Sequence, residues 1–536
     1  MAEEFVHSSL ALSPVAATAA GYHKHNGVSL DQLIDDYSPA GLREQRRFFA
    51  DFRNRMAVAF KREQLPPEDQ ADYDIIEGQI SLALLEYDTI QSFKHNPTSY
   101  VELVGNALYS PYVLEYASKG ERFGHVVSRL EGIPALVEQA KANLTDSPDI
   151  WLKVALEENQ GNIDLIDQTL RAEAPSDIKN RYDGAASGAI SSLNSFNEFL
   201  RDTLAQHPSD WRLGKEKYAR KFQFALGTGK TPEQMLAEAE NKLKDIRGQM
   251  ATVAQPRTVE AALAKVGARH ATPGTYMSDA QRDLAETTDF VREKHLLTLP
   301  ARSNLKVIDT PAFMRGIYAV GGFSPAPALE PQLGAFYWIT PIPKQWEAAR
   351  IESKLREYNY YGLKILTIHE AMPGHYVQAE YANDIQPKSR RILRGIFGNG
   401  PYVEGWAVYA TQVMIDDGYR NTPEMKLTFL KQMLRVVSNT ILDIRLQTMA
   451  MTEQQAIELM IDDTYQEREE ATAKYQRARL SSCQLPTYFA GWQGWLDARD
   501  AFKKAKGSGF QLAKFHERAL KEGAVPLPAL TRLLTP

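Results

Sequence analysis

Apolar residues recur at helical spacing over most of the chain. Phe48, Phe52, Met56 and Phe60 fall every fourth residue in a stripe that stops before Pro66. Ile76, Ile80, Leu84 and Tyr87 repeat the pattern. The stretch 231–250 opens as a capping box, with Thr231 as N-cap, Pro232 in the first turn and Gln234 at the third position. Leu236, Ala239, Leu243, Ile246 and Met250 then share one face. Thr452 and Gln455 form a second opening of the same kind. Near residue 296 the pattern changes. "LKVIDTPAFMR", "GIYAVGGF" and "GAFYWITPI" are rich in β-formers and punctuated by Gly and Pro, and predict a small sheet of three or four strands. Helix returns at "WEAARIESKLREYNYYGLKILTIHEAM" and holds to the end. The pattern predicts a mainly α fold with one small β-sheet. It divides into an N-terminal helical region, 1–295, and a second region, 296–536, expected to enclose one intertwined cleft.

Composition narrows the class without naming a function. With 43% hydrophobic and 24% charged residues, the chain reads as an ordinary globular protein. A net charge of −5 gives no pull toward nucleic acid or anionic lipid. The basic run "KSRRILR" (388–394) reads as a solvated helix face. Cys483 is the single cysteine, so neither an intrachain disulfide nor a thiolate cluster can form. No apolar run approaches the roughly 18 residues of a membrane span. Glu3 and Glu4 stand where a signal peptide would carry basic residues, and Pro14 interrupts the apolar stretch after them. The expected compartment is the cytoplasm, or the periplasm or exterior if a leader precedes this sequence.

Two motifs fail on inspection. "GTGKT" (227–231) lacks the earlier glycine of a phosphate loop and is already a helix start. "GFSPA" (322–326) lacks the closing glycine of a nucleophile elbow.

"TIHEAMPGHYVQ" (367–378) carries the candidate chemistry. It begins like the zinc-peptidase signature HExxH, but its second histidine arrives two residues late. On a regular helix, six residues turn through about 240° and rise about 9 Å. A straight helix therefore cannot bring His369 and His375 to one ion. Pro373 removes a helix hydrogen bond and Gly374 tolerates unusual dihedrals, so a bulge at this pair would return His375 to the face of His369. The alternative is a helix that ends at Met372, with His369 and Glu370 as ordinary polar residues.

A third ligand has a candidate downstream. Glu404 lies in the apolar run "GPYVEGWAVYATQVM" (400–414), where a buried carboxylate costs several kcal/mol unless paired or metal-bound. A glutamate capping a helix or pairing with arginine is the other explanation. "GAFYWITPI" (334–342) is the candidate edge strand for an extended substrate, or else a core strand.

Together "HEAMPGHYVQ", "VEGWAVYA" and "FHERALKEGAVPLPAL" resemble the bacterial domain-of-unknown-function 885 family, over nearly the whole chain. That family is grouped with the gluzincin metallopeptidases, so the resemblance implies a large helical gluzincin-like fold with a deep cleft. It implies one Zn2+ held by His369, His375 and Glu404, with Glu370 as catalytic base and Gln378 as a partner of the ligands. "RARLSSCQLPTYFAG" matches a further family segment at Arg477, Gln484, Tyr488 and Gly491. The chain departs from the family pattern at Lys474, where an acid is common, at Ser482-Cys483, at Tyr376 and at Thr411.

The expected function is zinc-dependent hydrolysis of peptide bonds in small peptides. Tyr488 first, then Arg477, is the candidate donor to the oxyanion, while His516 is expected to serve helix packing. The alternatives are a metallo-amidohydrolase acting on a modified amino acid or toxin amide, and a catalytically silent binding protein.

Overall fold

The computed structural model describes residues 1–311, 314, 315, 318 and 320–535. Helices dominate it. The first predicted stripe is the helix Pro39–Ala59, which buries Phe52 and Met56 and ends before Phe60, leaving that ring exposed. The second is Pro67–Leu85, with Ile76 and Ile80 in the core. Both capping boxes form: Thr231 and Gln234 exchange bonds with each other's backbone at the start of Pro232–Ala254, and Thr452 and Gln455 do so at Glu453–Glu458. Each satisfies two amide donors that a helix start otherwise leaves orphaned.

The strands are few. β1 (Lys24–His25) and β2 (Val28–Ser29) form a short antiparallel pair near the start. β3 (Leu305–Asp309), β4 (Gly321–Ser324) and β5 (Ala335–Ile339) form the predicted small sheet, in the order β3-β5-β4. β5 runs parallel to β3 and antiparallel to β4. This corrects one expectation. The segment 334–342 is not an edge strand: β5 is central, paired on both sides and buried along its length. The edge beside the candidate site belongs to β4. Residues 312, 313, 316, 317 and 319 of the predicted strand region lie outside the described residues.

The largest apolar core takes residues from Phe5 to Leu534 and so crosses the change of pattern at 295/296. A second core, from Tyr100 to Leu204, belongs to the helical segments between Thr98 and Gln206. No described helix is long and apolar enough to cross a membrane.

Candidate metal centre

His369 and Glu370 end the helix Tyr360–Glu370. Asn359 starts that helix by accepting hydrogen bonds from the amides of Tyr361 and Gly362, at 3.0 and 3.2 Å. Lys364, fully buried, ties it to its neighbours through Asp283 at 2.5 Å and Glu286 at 3.0 Å. From the sheet, the Tyr337 hydroxyl of β5 lies 3.1 Å from Thr367 Oγ1. The end of the helix is therefore held from several sides independently of any bound ligand.

The chain does not bulge and continue after Glu370; it breaks. Ala371 leaves helical geometry, and a new helix starts at His375 and runs to Ala382. The Gly374 amide donates to the carbonyl of Ile368, six residues back, at 2.9 Å. That span exceeds a π-type loop, which is why the expected bulge is replaced by a turn between two helices. Gly374 presses onto the helix it follows: a Cβ there would fall 1.9 Å from the His369 carbonyl oxygen. Trp406 closes the turn from outside, its indole N–H lying 2.9 Å from the carbonyl oxygen of Pro373 and 3.1 Å from that of Gly374.

Glu404 stands one turn inside the helix Gly400–Asp416, which Asn399 caps through the Tyr402 amide at 3.0 Å. This helix lies close against Thr487–Lys506. A Cβ on Gly405 would fall 2.3 Å from the Gly491 carbonyl carbon, and one on Gly491 would fall 2.0 Å from the Pro401 oxygen. Only glycines permit that approach, which puts Glu404 and Tyr488 on adjoining backbones.

The three candidate ligands converge. Glu404 Oε2 lies 3.6 Å from His369 Nε2 and 3.5 Å from His375 Nε2. The two imidazoles stand nearly perpendicular, with ring centroids 4.8 Å apart. All three ligand atoms lie within 4.8 Å of one another, and they are the only such group found among the described residues. Around a tetrahedral zinc with ligands near 2.0–2.1 Å, neighbouring donor atoms stand about 3.3 Å apart, so the donor set fits one ion. The separations are too long for good hydrogen bonds, and among the described residues Glu404 Oε2 has no hydrogen-bonding partner. Burial alone would raise the Glu404 carboxyl, yet the two imidazoles outweigh it and hold it well below the usual range.

The other predicted residues fall around this triad. Glu370 lines a cavity of about 340 Å³ together with His369, Arg477 and Tyr488. The Tyr488 ring stacks beside His369 at 6.2 Å. Gln484 links it to Arg477, donating to the Tyr488 hydroxyl and accepting from the guanidinium, each at 3.3 Å. Burial first, and then the Glu404 charge, push Tyr488 up to about 12, so it stays a proton donor. Gln378 is buried on the His375 helix, but no hydrogen bond joins its side chain to a ligand. His516 lies outside the cavity, its ring nitrogens 2.8 Å from the Leu296 carbonyl oxygen and 3.0 Å from the Tyr409 hydroxyl. Burial pushes it down to about 4, so it packs as a neutral ring.

Sequence reasoning missed three contributors. Trp406 carried a signal, since an indole donor inside an apolar helix needs an acceptor. Phe323 of β4, stacked on His375 at 6.3 Å, and the buried Glu158, facing the cavity from the helix Asp149–Asp164, carried none.

Fold and site together define a mainly helical protein with a candidate three-ligand metal centre. The chain belongs to the family described as "Bacterial protein of unknown function (DUF885)", which matches residues 14–534. It is similar to a protein from Shewanella oneidensis described as a putative lipoprotein of unknown function. The two are 29% identical with a TM-score of 0.81, covering 99% of this chain and 98% of that one. The fold is shared with a putative lipoprotein from Colwellia psychrerythraea at 19% identity and a TM-score of 0.79, with the same coverage. No curated protein matches the chain.

Proposed function

We propose that this protein is a zinc-dependent peptidase acting on small peptides. The observation that carries the reading is the convergence of His369, His375 and Glu404 next to Glu370, at the wall of a cavity. His369, His375 and Glu404 would hold the ion, whose bound state supplies a polarised carbonyl and a water acidic enough to ionise near neutral pH. Glu370, adjacent to a ligand and facing the cavity, takes the proton of the attacking water and delivers it to the leaving amine. Tyr488, kept protonated, donates to the developing oxyanion. Arg477 orients that hydroxyl through Gln484.

The sheet adds a place for the substrate backbone. The Thr340 amide donates to the Val320 carbonyl at 2.8 Å. By antiparallel alternation, the N–H and C=O groups of Gly321 and Phe323 then point away from β5, toward the free edge. An extended peptide can pair with that edge beside His375. The modest cavity favours short peptides over folded proteins.

Metal analysis of purified protein, followed by mass spectrometry of a digested peptide library, tests the reading. About one zinc per chain and cleavage that disappears in Glu370→Gln are expected. Bound zinc with no peptide cleaved would favour the narrower amidohydrolase, and no bound metal would leave a binding protein.

A further inference from the structure

Two cations of the helix Arg468–Leu480 face the same cavity as Glu370. Lys474 and Arg477 are three residues apart, hence neighbours on one helix face, and both line the cavity wall. Lys474 is only 6% exposed. The carboxylates around it are committed elsewhere. Glu470 binds Arg435 and lies 3.8 Å from Lys354, while Glu357 binds Lys431 at 2.7 Å. Among the described residues, no carboxylate pairs with the Lys474 ammonium and no hydrogen bond reaches it. Among the described residues Arg477 has no carboxylate partner either; its guanidinium meets the Gln484 amide oxygen and the Tyr488 hydroxyl.

An ammonium largely withdrawn from solvent and without an ionic partner is held at a cost that an arriving anion would relieve. Burial, and then the positive charges of Arg435 and Arg477, press Lys474 well below the ordinary lysine range. The opposite wall carries acids in place of cations. Glu157 and Glu158 face the cavity from the helix Asp149–Asp164, and among the described residues neither Glu158 oxygen has a hydrogen-bonding partner. The cavity therefore keeps its basic side chains on the side that reaches His369 through Gln484 and Tyr488, opposite acids of which burial holds Glu158 toward its neutral form.

We propose that Lys474 and Arg477 form a carboxylate-binding subsite, and that the substrates are short peptides held by a carboxylate close to the bond that is cut. A forked guanidinium and a lysine on one helix face suit the two oxygens of that group, and the arriving negative charge favours the protonated form of the lysine. The carboxylate is supplied by the free carboxyl terminus or by an acidic side chain, and the two sources separate experimentally. The inference rests on the peptidase reading for the word substrate, but the subsite itself is measurable without turnover.

The test has a kinetic arm and a binding arm. In the first, a library of short peptides with free carboxyl termini is compared with the same library amidated. The wild type is expected to favour the free acids, and Lys474→Met to lower that preference roughly 10- to 100-fold, mainly through KM. Lys474→Gln, which keeps a polar head, is the second variant. In the binding arm, zinc-loaded Glu370→Gln is titrated calorimetrically with Ala-Ala-Ala, Ala-Ala-Ala-amide and Ala-Asp-Ala-amide. Tighter binding of the first alone assigns the carboxyl terminus. Equal binding of the first and third over the second assigns any carboxylate. Equal binding of all three, or of none, overturns the subsite, as does an acid preference that survives both lysine variants. A wild type that cleaves neither library defeats the peptidase reading, while the titration still decides the subsite. A structural lysine would cost stability when replaced; Lys474→Met is expected to melt no lower than the wild type.

Discussion

Trp406 and Pro373 meet through a 2.9 Å hydrogen bond from the indole to a carbonyl in the turn between the two histidines. One side chain of the Glu404 helix thus fixes the turn that brings His375 to His369. Trp406→Phe keeps the ring and deletes the donor. Leaving the buried carbonyls unpaired is expected to cost about 1–3 kcal/mol, read from chemical denaturation. Zinc affinity is expected to fall about 10- to 100-fold in competition with a chromogenic chelator, because the ligand geometry loosens.

Glu404 and Glu370 separate binding from chemistry. Glu404→Gln is expected to retain its helical circular dichroism and lose bound zinc. Glu370→Gln is expected to keep about one zinc per chain while kcat falls by at least about 10²-fold. The pair is read by elemental analysis and turnover on the same preparations; equal metal loss in both variants would remove the distinction between ligand and base.

Tyr488→Phe removes the proposed oxyanion donor without touching a ligand. A fall in kcat of about 10²–10³-fold with unchanged metal content is expected. An unchanged kcat would transfer the role to Arg477.

Glu158 gives a pH signature in stability. Burial, then repulsion from Glu102 and Glu157, raise its carboxyl to about 8 in the folded protein. A carboxyl with a raised folded pKa costs nothing below its unfolded value, then destabilises increasingly as pH climbs to about 8, and the cost is constant above that. Glu158→Gln is therefore expected to match the wild type at pH 4 and to be more stable at pH 9, by up to about 5 kcal/mol. Melting curves at the two pH values check the sign.

Much of this was legible locally. Capping boxes at Thr231 and Thr452 and the stripe ending at Phe60 depend on residues within a turn or two, so spacing alone locates them. The members of the candidate triad were legible as residue types, because histidine, glutamate and a Pro-Gly pair can be weighed without knowing neighbours. How the backbone joins His369 to His375 was not. A break rather than a bulge follows from Gly374 bonding back to Ile368 and from Trp406 arriving out of another helix. Strand order was hidden for the same reason: the sequence of β5 suits an edge or a centre, and only the pairing of β3 and β4 against it decides. Lys474 and Glu158 look like ordinary helix charges until the opposing walls remove their partners.

The apolar core that joins Phe5 to Leu534 gives the molecule one fate under stress. Residues flanking His369 share that interior with Phe52 and Ile80, from the opening helices. A ligand gripped at the candidate metal centre would slow hydrogen exchange in those distant helices too. Cutting the chain at the midpoint would strip both pieces of their common interior, so neither fragment would survive alone in water.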